Sequence, residues 1–459
     1  MTTNEPAAST VDRTLVRELK NREDARFLDA HPRCAELIER GRRVMPNGVP
    51  MAWHVGSYHH IPLWVTGGKG SRFTDVDGHT YSDFNIADMS MFSGYAPEPL
   101  VRAVSECMAR GHQFLLPCED AIVVSEELGR RYGLPKWQYT LSASQANTEA
   151  IRVARVVTGR EKVLLFDGHY HGHFDQSLVE LGVDGRLVPE ERGLPRSVVD
   201  QTVVAPFNDV AALQAALERR NVALVLTEPA LTNNYGLILP EPGYHEALRS
   251  ITRQTGTLLA LDETHTQVAG PGGLTTLWSL QPDMVSSGKS IAGGVPFGAW
   301  GMTDEIAEVL TQVKDADGER SDLVAIGGTL FGNPLSLAAA KATMLEILTP
   351  EAYAHTQRLG ARLADGMRAA VARAGLPWHI HHLGPRSGYT FQPQPVRDAA
   401  EARACVDELL TRLIRIWLAN RGVWEAIVGA GPVCPVPATD ADVDAYLAAW
   451  DELLQALTR

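Results

Sequence analysis

Lys289 closes an apolar run and opens a glycine-rich bend in the stretch MVSSGKSIAGGVPFGAWG, residues 284–301. A lysine that only meets solvent needs no small neighbours. One that must approach a flat, bulky ligand does, and Gly288, Gly293, Gly294 and Gly298 leave that room. Its amine is the side chain that condenses with an aldehyde as a Schiff base. Other apolar runs also end in chemistry. Glu228-Pro229 ends VALVLTEP, Asp262 ends LLALD, and Ser142, Ala143 and Ser144 precede a helical pattern with Ala150, Ile151, Ala154 and Val157 on its apolar face.

Each of these residues has an ordinary reading by itself. Ser142 suits a helix N-cap. Asp262 suits a cap or a structural ion pair, and a single lysine is most often a surface group. Together they describe one ligand. Free N–H groups at a helix start, with two hydroxyls, cradle an anion. A carboxylate in apolar surroundings needs a cation, and a protonated heteroaromatic nitrogen is one. The amine needs an aldehyde. Pyridoxal 5'-phosphate has all three features, and it carries the electron sink while the protein orients substrate and moves protons.

The elements that must position these residues follow from periodicity. Residues 13–45 read as helix, ended by Pro46, Asn47, Gly48 and Pro50. Residues 62–84 alternate and turn at Asp77-Gly78, the mark of short antiparallel strands. From about residue 98, helical stretches alternate with the apolar runs KVLLF, ALVLTEP, LLALDE and DMVSSG. That is the α/β pattern of a parallel sheet with crossover helices, in which ligands sit at the carboxyl ends of strands. After about residue 335 the chain is helix-rich again, ending in DADVDAYLAAWDELLQAL. The expected organisation is a flexible tail at 1–12, a segment at 13–97 that contributes to a small domain, a large cofactor-binding domain at 98–335, and the rest of the small domain at 336–459.

Composition excludes several classes. The 459 residues are 45% apolar and 21% charged, with net charge −13 and no dense basic cluster, so nucleic acid and anionic membranes are not expected partners. Five widely spaced cysteines without a CxxC indicate neither a disulfide framework nor a zinc site. His169, His171 and His173 have the look of a metal cluster but are read as loop residues, so no metal is expected. No apolar run reaches membrane-spanning length, and the N-terminus lacks a signal-peptide core, so a cytoplasmic enzyme is expected. No GxGxxG follows a first strand, which removes a nicotinamide site.

The motifs SASQANTEAIRVAR, DGHYHGHFD, TEPA, LDETHT, SSGKSIAGGVPFGAWG and GGTLFGNPLSLAAA, in this order and spacing, resemble the class III (subgroup II) aminotransferases of pyridoxal-phosphate fold type I. The resemblance runs from about residue 43 to the C-terminus. It is strongest to the branch with glutamate-1-semialdehyde aminomutase and the D-phenylglycine and β-phenylalanine aminotransferases. It implies an α/β large domain on a mostly parallel seven-stranded sheet and a smaller α+β domain. Lys289 would then bind the cofactor and shuttle a proton, and Asp262 would keep the ring nitrogen protonated. Ser142, Ala143 and Ser144 would hold the phosphate. Tyr170 and Thr264 would pack on the two ring faces, and Glu228 would sit near the phenolic side with Asn233 or Asn234. Thr329 would reach the phosphate of a second subunit, making a homodimer with shared sites.

The departures bear on substrate. The family's SGTEA is SASQA here, and DEVMTGFR is DETHTQVA, which brings in His265 and puts Ala269 at a common arginine position. GVNSPVRAF becomes GVPMAWHVG, so His54, after Trp53, replaces the arginine that takes a substrate carboxylate. Either Arg386 reads a carboxylate instead, or the substrate lacks one. Met89, Met91, Phe92 and Trp53 indicate an apolar pocket. The expected activity is ping-pong transfer of an amino group from an amine, β-amino or D-amino acid donor to an oxo-acid acceptor. The alternative is an isomerase, an aminomutase or an epimerase, on the same scaffold.

Overall fold

The computed structural model describes residues 11–56, 60–182, 184–232, 236–310, 324, 326–427 and 429–458. It divides into two compact units, one of Glu98–Tyr353 with Arg397–Ala399, the other of the chain up to Pro97, Ala354–Val396 and Ala400–Arg459.

The first unit is built on seven strands: β1 (Lys136–Thr140), β2 (Lys162–Phe166), β3 (Thr202–Ala205), β4 (Val222–Thr227), β5 (Leu258–Asp262), β6 (Met284–Ser287) and β7 (Gly298–Met302). Their order is β1-β7-β6-β5-β4-β2-β3. Strands β2 to β6 run parallel, and β7 lies antiparallel between β6 and β1. Every residue of β4 is buried, as a strand covered on both faces must be. This is the mostly parallel α/β sheet that the apolar runs predict.

The helix Ala143–Thr158 crosses one face against β4 to β7. Ala146, Ala150, Ile151, Val153 and Ala154 pack there with Leu224, Ala260, Met284 and Trp300. Val157, expected on that face, is exposed in the last turn of the helix, whereas Val153 is buried.

In the second unit, antiparallel strands Val65–Lys69, Arg72–Asp75 and Thr80–Asp83 form a sheet that Val423–Trp424 extends in parallel. Gly78 makes the turn with φ +92°, a conformation glycine adopts without strain. The helix expected over 13–45 is two helices, Arg13–Ala30 and Pro32–Gly41. Pro32 disfavours helical geometry at His31 and lacks a donor, so the break falls there. Residues 1–10 of the expected tail lie outside the described residues. Its end is ordered: Val11 is buried, and Asp12 caps the first helix by accepting from Thr14 N at 2.8 Å. Among the described residues no helix is long and apolar enough to cross a membrane.

Candidate active site

The polar ends of β1, β4, β5 and β6 meet at the carboxyl edge of the sheet. After β1 the chain turns into the helix Ala143–Thr158 with Ser142 as N-cap, its hydroxyl accepting from Gln145 N at 3.3 Å. Gln145 reaches back to accept from Leu141 N at 3.0 Å. Ser144 Oγ accepts from His173 N at 3.2 Å, tying the loop after β2 to the helix start. The approach is close: a Cβ on Gly172 would lie 2.0 Å from Ser144 Oγ, and Gly172 has φ +108°.

Asp262 ends β5 and is buried. Its Oδ2 accepts from Asn147 Nδ2 and faces His171 Nδ1, both at 2.9 Å. Its Oδ1 accepts from Thr264 N at 3.0 Å and from the Thr264 hydroxyl at 2.5 Å. Burial alone would push the carboxyl up. The hydrogen bond and charge interaction with His171 and the two bonds from Thr264 outweigh that and hold it below the ordinary carboxylate range. A carboxylate only accepts, so the ring hydrogen of His171 sits on Nδ1. His171 Nε2 is buried with no hydrogen-bond partner among the described residues.

Lys289 begins the short 3-10 turn Lys289–Ala292 with φ +48°, a left-handed conformation that costs an ordinary residue about 1 kcal/mol. Such a cost persists where the surroundings demand the geometry. Lys289 Nζ lies 2.5 Å from His265 Nε2, and His265 Nδ1 lies 4.0 Å from Glu228 Oε2. Glu228 accepts from Thr232 N at 3.3 Å and from the Thr232 hydroxyl at 2.5 Å. Burial pushes its carboxyl up to about 7 against the bonds from Thr232 and the charge of His171.

The remaining expected residues are distributed as follows. Tyr170 is half-buried on the loop after β2. Thr329 is exposed, and its carbonyl accepts from Gln113 Nε2 at 2.5 Å. Asn233 and Asn234 lie outside the described residues. Trp53, His54, Met91 and Arg386 belong to the other unit. There Trp53 and His54 are exposed on the short helix Trp53–Gly56 and Met91 is half-buried. Arg386 is buried and donates to Met89 Sδ at 2.9 Å. Met89 and Phe92, expected to line a pocket, are buried. The three loop histidines serve different partners. His169 lies against the Phe166 and Ser177 carbonyls, His171 against Asp262, and His173 is exposed, 3.9 Å from Glu191.

Sequence reasoning missed several residues that build the site. Asn147 binds Asp262, the His171 carbonyl at 2.8 Å and the Ser286 hydroxyl at 2.5 Å. A signal existed, since Asn147 is polar on an otherwise apolar helix face. Gln267, at the glycine of the family's DEVMTGFR, donates to the Thr264 and Gly288 carbonyls at 2.9 Å and accepts from Ser287 Oγ at 3.0 Å. It clamps the loop after β5 to the bend that carries Lys289. Thr264 was expected to pack as an apolar group would, yet its hydroxyl is spent on Asp262.

These residues fit pyridoxal phosphate. A Cβ on Gly298 would lie 2.3 Å from Ser142 O, and one on Gly288 would lie 3.1 Å from Ala143 N, so the helix start is approached by bare backbone. Asp262 is a buried anion suited to a ring N–H, and Lys289 is a strand-end amine. When bound, the cofactor supplies a cationic conjugated ring that accepts the electron pair left as a bond at the substrate's amino carbon breaks.

The model of the class-III aminotransferase family matches residues 55–434, and the chain belongs to that family of pyridoxal-phosphate enzymes. It is 35% identical over 378 residues to the glutamate-1-semialdehyde 2,1-aminomutase of Anaeromyxobacter dehalogenans (strain 2CP-C), covering 81% of this chain and 85% of that one. The structure of a glutamate-1-semialdehyde aminomutase from Pseudomonas aeruginosa PAO1 superposes with a TM-score of 0.93 at 37% identity, covering 97% of this chain and 99% of that one. A variant of that enzyme is described in complex with PMP. An omega-transaminase from Sphaerobacter thermophilus superposes with a TM-score of 0.84 at 29% identity, covering 92% and 97%. The transaminase expected as the main activity therefore has the more distant of these relatives, and the aminomutase alternative the nearer.

Proposed function

We propose that the chain is a pyridoxal-phosphate aminomutase, which shifts an amino group between neighbouring carbons of one small substrate of the glutamate-1-semialdehyde class. The observation that carries this is the 37% identity to an aminomutase along 97% of the chain. In this reading Lys289 binds the cofactor and moves a proton on and off the substrate carbon, while Asp262 holds the hydrogen of the ring nitrogen. Ser142, Ala143 and Ser144 receive the phosphate, Tyr170 and Thr264 flank the ring, and Glu228 stands on its phenolic side. The enzyme is a cytoplasmic homodimer in which Thr329 serves the other subunit's site. Exposed Phe114, Leu115, Leu116 and Leu330 support an apolar contact there, since monomers seldom leave such a cluster open.

A transaminase acting on an amine, β-amino or D-amino acid with an oxo-acid acceptor is the second reading. His54, in place of a carboxylate-binding arginine, favours it. The two separate when cofactor-loaded protein is given glutamate-1-semialdehyde alone and products are followed by NMR. An amino-shifted isomer formed without an acceptor supports the aminomutase. Turnover that requires an added oxo acid overturns it in favour of the transaminase.

A further inference from the structure

Lys289, His265 and Glu228 form a file at the site, 2.5 Å from Nζ to Nε2 and 4.0 Å from Nδ1 to Oε2. His265 and Glu228 are buried, 5% and 2% exposed. An ammonium only donates, so Nε2 of His265 accepts from Lys289 and the ring hydrogen sits on Nδ1, the side that faces Glu228. Here the lysine is backed by an imidazole, the side chain suited to exchanging protons near neutrality.

We propose that His265 is the immediate proton acceptor and donor of Lys289, with Glu228 as the charge that steadies the imidazolium. This rests on the reading of Lys289 as the cofactor's amine. An amine that must act as a nucleophile has to be stripped of its third hydrogen. In the transfer, one N–H bond of the Lys289 ammonium breaks, its electron pair stays on Nζ, and the proton forms a new bond at His265 Nε2. Return of the proton reverses both changes. Lys289 faces the ring from the bend after β6 and Glu228 from the end of β4. His171 and Asp262 stand behind them, acting through charge on Glu228. Glu228, pushed by burial to about 7, changes charge in the same range as an imidazole, so the pair can share one proton. Thr232 fixes the carboxylate, and Gln267 holds the two backbone segments that carry His265 and Lys289.

The test uses the full chain freed of cofactor. Lys289 is labelled with trace acetic anhydride across a range of pH and quantified by peptide mass spectrometry, and the rate of pyridoxal-phosphate uptake is recorded alongside. The wild-type labelling profile should carry a limb at about pH 6–8, the range of a histidine. His265→Gln keeps a polar side chain that cannot titrate. It should lose that limb and move the profile alkaline by roughly one unit, equivalent to about tenfold slower labelling at neutral pH. Wild-type and His265→Gln profiles that superimpose overturn the proposal. So does a wild-type profile without the neutral limb, a result that stands even if the variant does not fold. Borohydride fixation of the loaded wild type with peptide mapping tests the underlying reading separately. Cofactor fixed on another lysine removes Lys289 as its amine, whereas cofactor on Lys289 with an unmoved profile removes only His265.

Discussion

His171 Nδ1 stands 2.9 Å from Asp262 Oδ2, both side chains buried, and Asn147 donates to the same oxygen at the same distance. The acid that would hold the cofactor's ring nitrogen is thus itself held, from a loop after one strand and a helix after another. Removing His171 leaves Asp262 buried with one fewer donor, a loss of about 2 kcal/mol for a charged hydrogen bond. His171→Leu should therefore weaken pyridoxal-phosphate binding by roughly thirtyfold in an absorbance titration, if most of that loss falls on the holo state. Asp262→Asn should be more severe, lowering turnover by about a hundredfold or more, because the ring nitrogen loses its anion. Unchanged affinity in His171→Leu contradicts the support role.

In the proposed reading, the cradle for the phosphate would rest on backbone approach rather than on hydroxyls. Ser142 and Ser144 both have protein partners, and a Cβ at Gly298 would meet Ser142 O at 2.3 Å, a backbone atom that cannot swing aside. Gly298→Ala should displace the helix start, with a cost of about 1–3 kcal/mol in stability and a matching fall in cofactor affinity. Ser144→Ala removes one hydroxyl and should be milder in both assays. The reverse ranking in cofactor titrations would show that the hydroxyls dominate.

Legibility in the sequence followed the physics of each residue. Glu228, Asp262 and Lys289 were readable because a doubly covered strand is apolar throughout, so a charge at its end stands out. The break at His31 was also written in the chain, as Pro32, though a continuous charged helix masked it. Asn147 stood out as a polar residue on an apolar helix face, but its partners were not readable, nor were the roles of Gln267 and the Thr264 hydroxyl, since these come from which backbone and carboxylate the fold brings beside them. His171 was hidden among three histidines whose different partners only the folded loop separates. The left-handed run Ile86, Ala87, Asp88 and Met89, with φ from +45° to +66°, has no glycine or asparagine to announce it.

That run gives a prediction of its own. Ala87 is exposed and sits at φ +49°, where an L-residue loses about 1 kcal/mol that glycine does not. Ala87→Gly usually costs stability through unfolded-state entropy, roughly 0.4–1 kcal/mol. Here the two effects oppose, so the variant should be neutral to stabilising by up to about 1 kcal/mol in urea unfolding. A clear loss of stability would mean that residue 87 does not occupy the left-handed region in solution.

Glu425 makes stability depend on pH. It is buried, accepts from the Tyr446 hydroxyl at 2.5 Å, and burial pushes its carboxyl up to about 7 against that bond and the charge of Arg415. The unfolded chain releases this proton near the ordinary value of about 4.3, whereas the folded chain keeps it until about 7. Between those limits the folded state binds more protons than the unfolded one, so stability falls as pH rises, by about 1.4 kcal/mol per unit for one such group. Glu228, raised in the same way, adds to the slope in cofactor-free protein. Glu425→Gln is neutral at every pH and escapes its share. It should match or fall slightly below the wild type at pH 5 and exceed it by about 2 kcal/mol at pH 8, read from urea midpoints. An equal difference at both pH values would show that Glu425 is already ionised in the folded protein near pH 5.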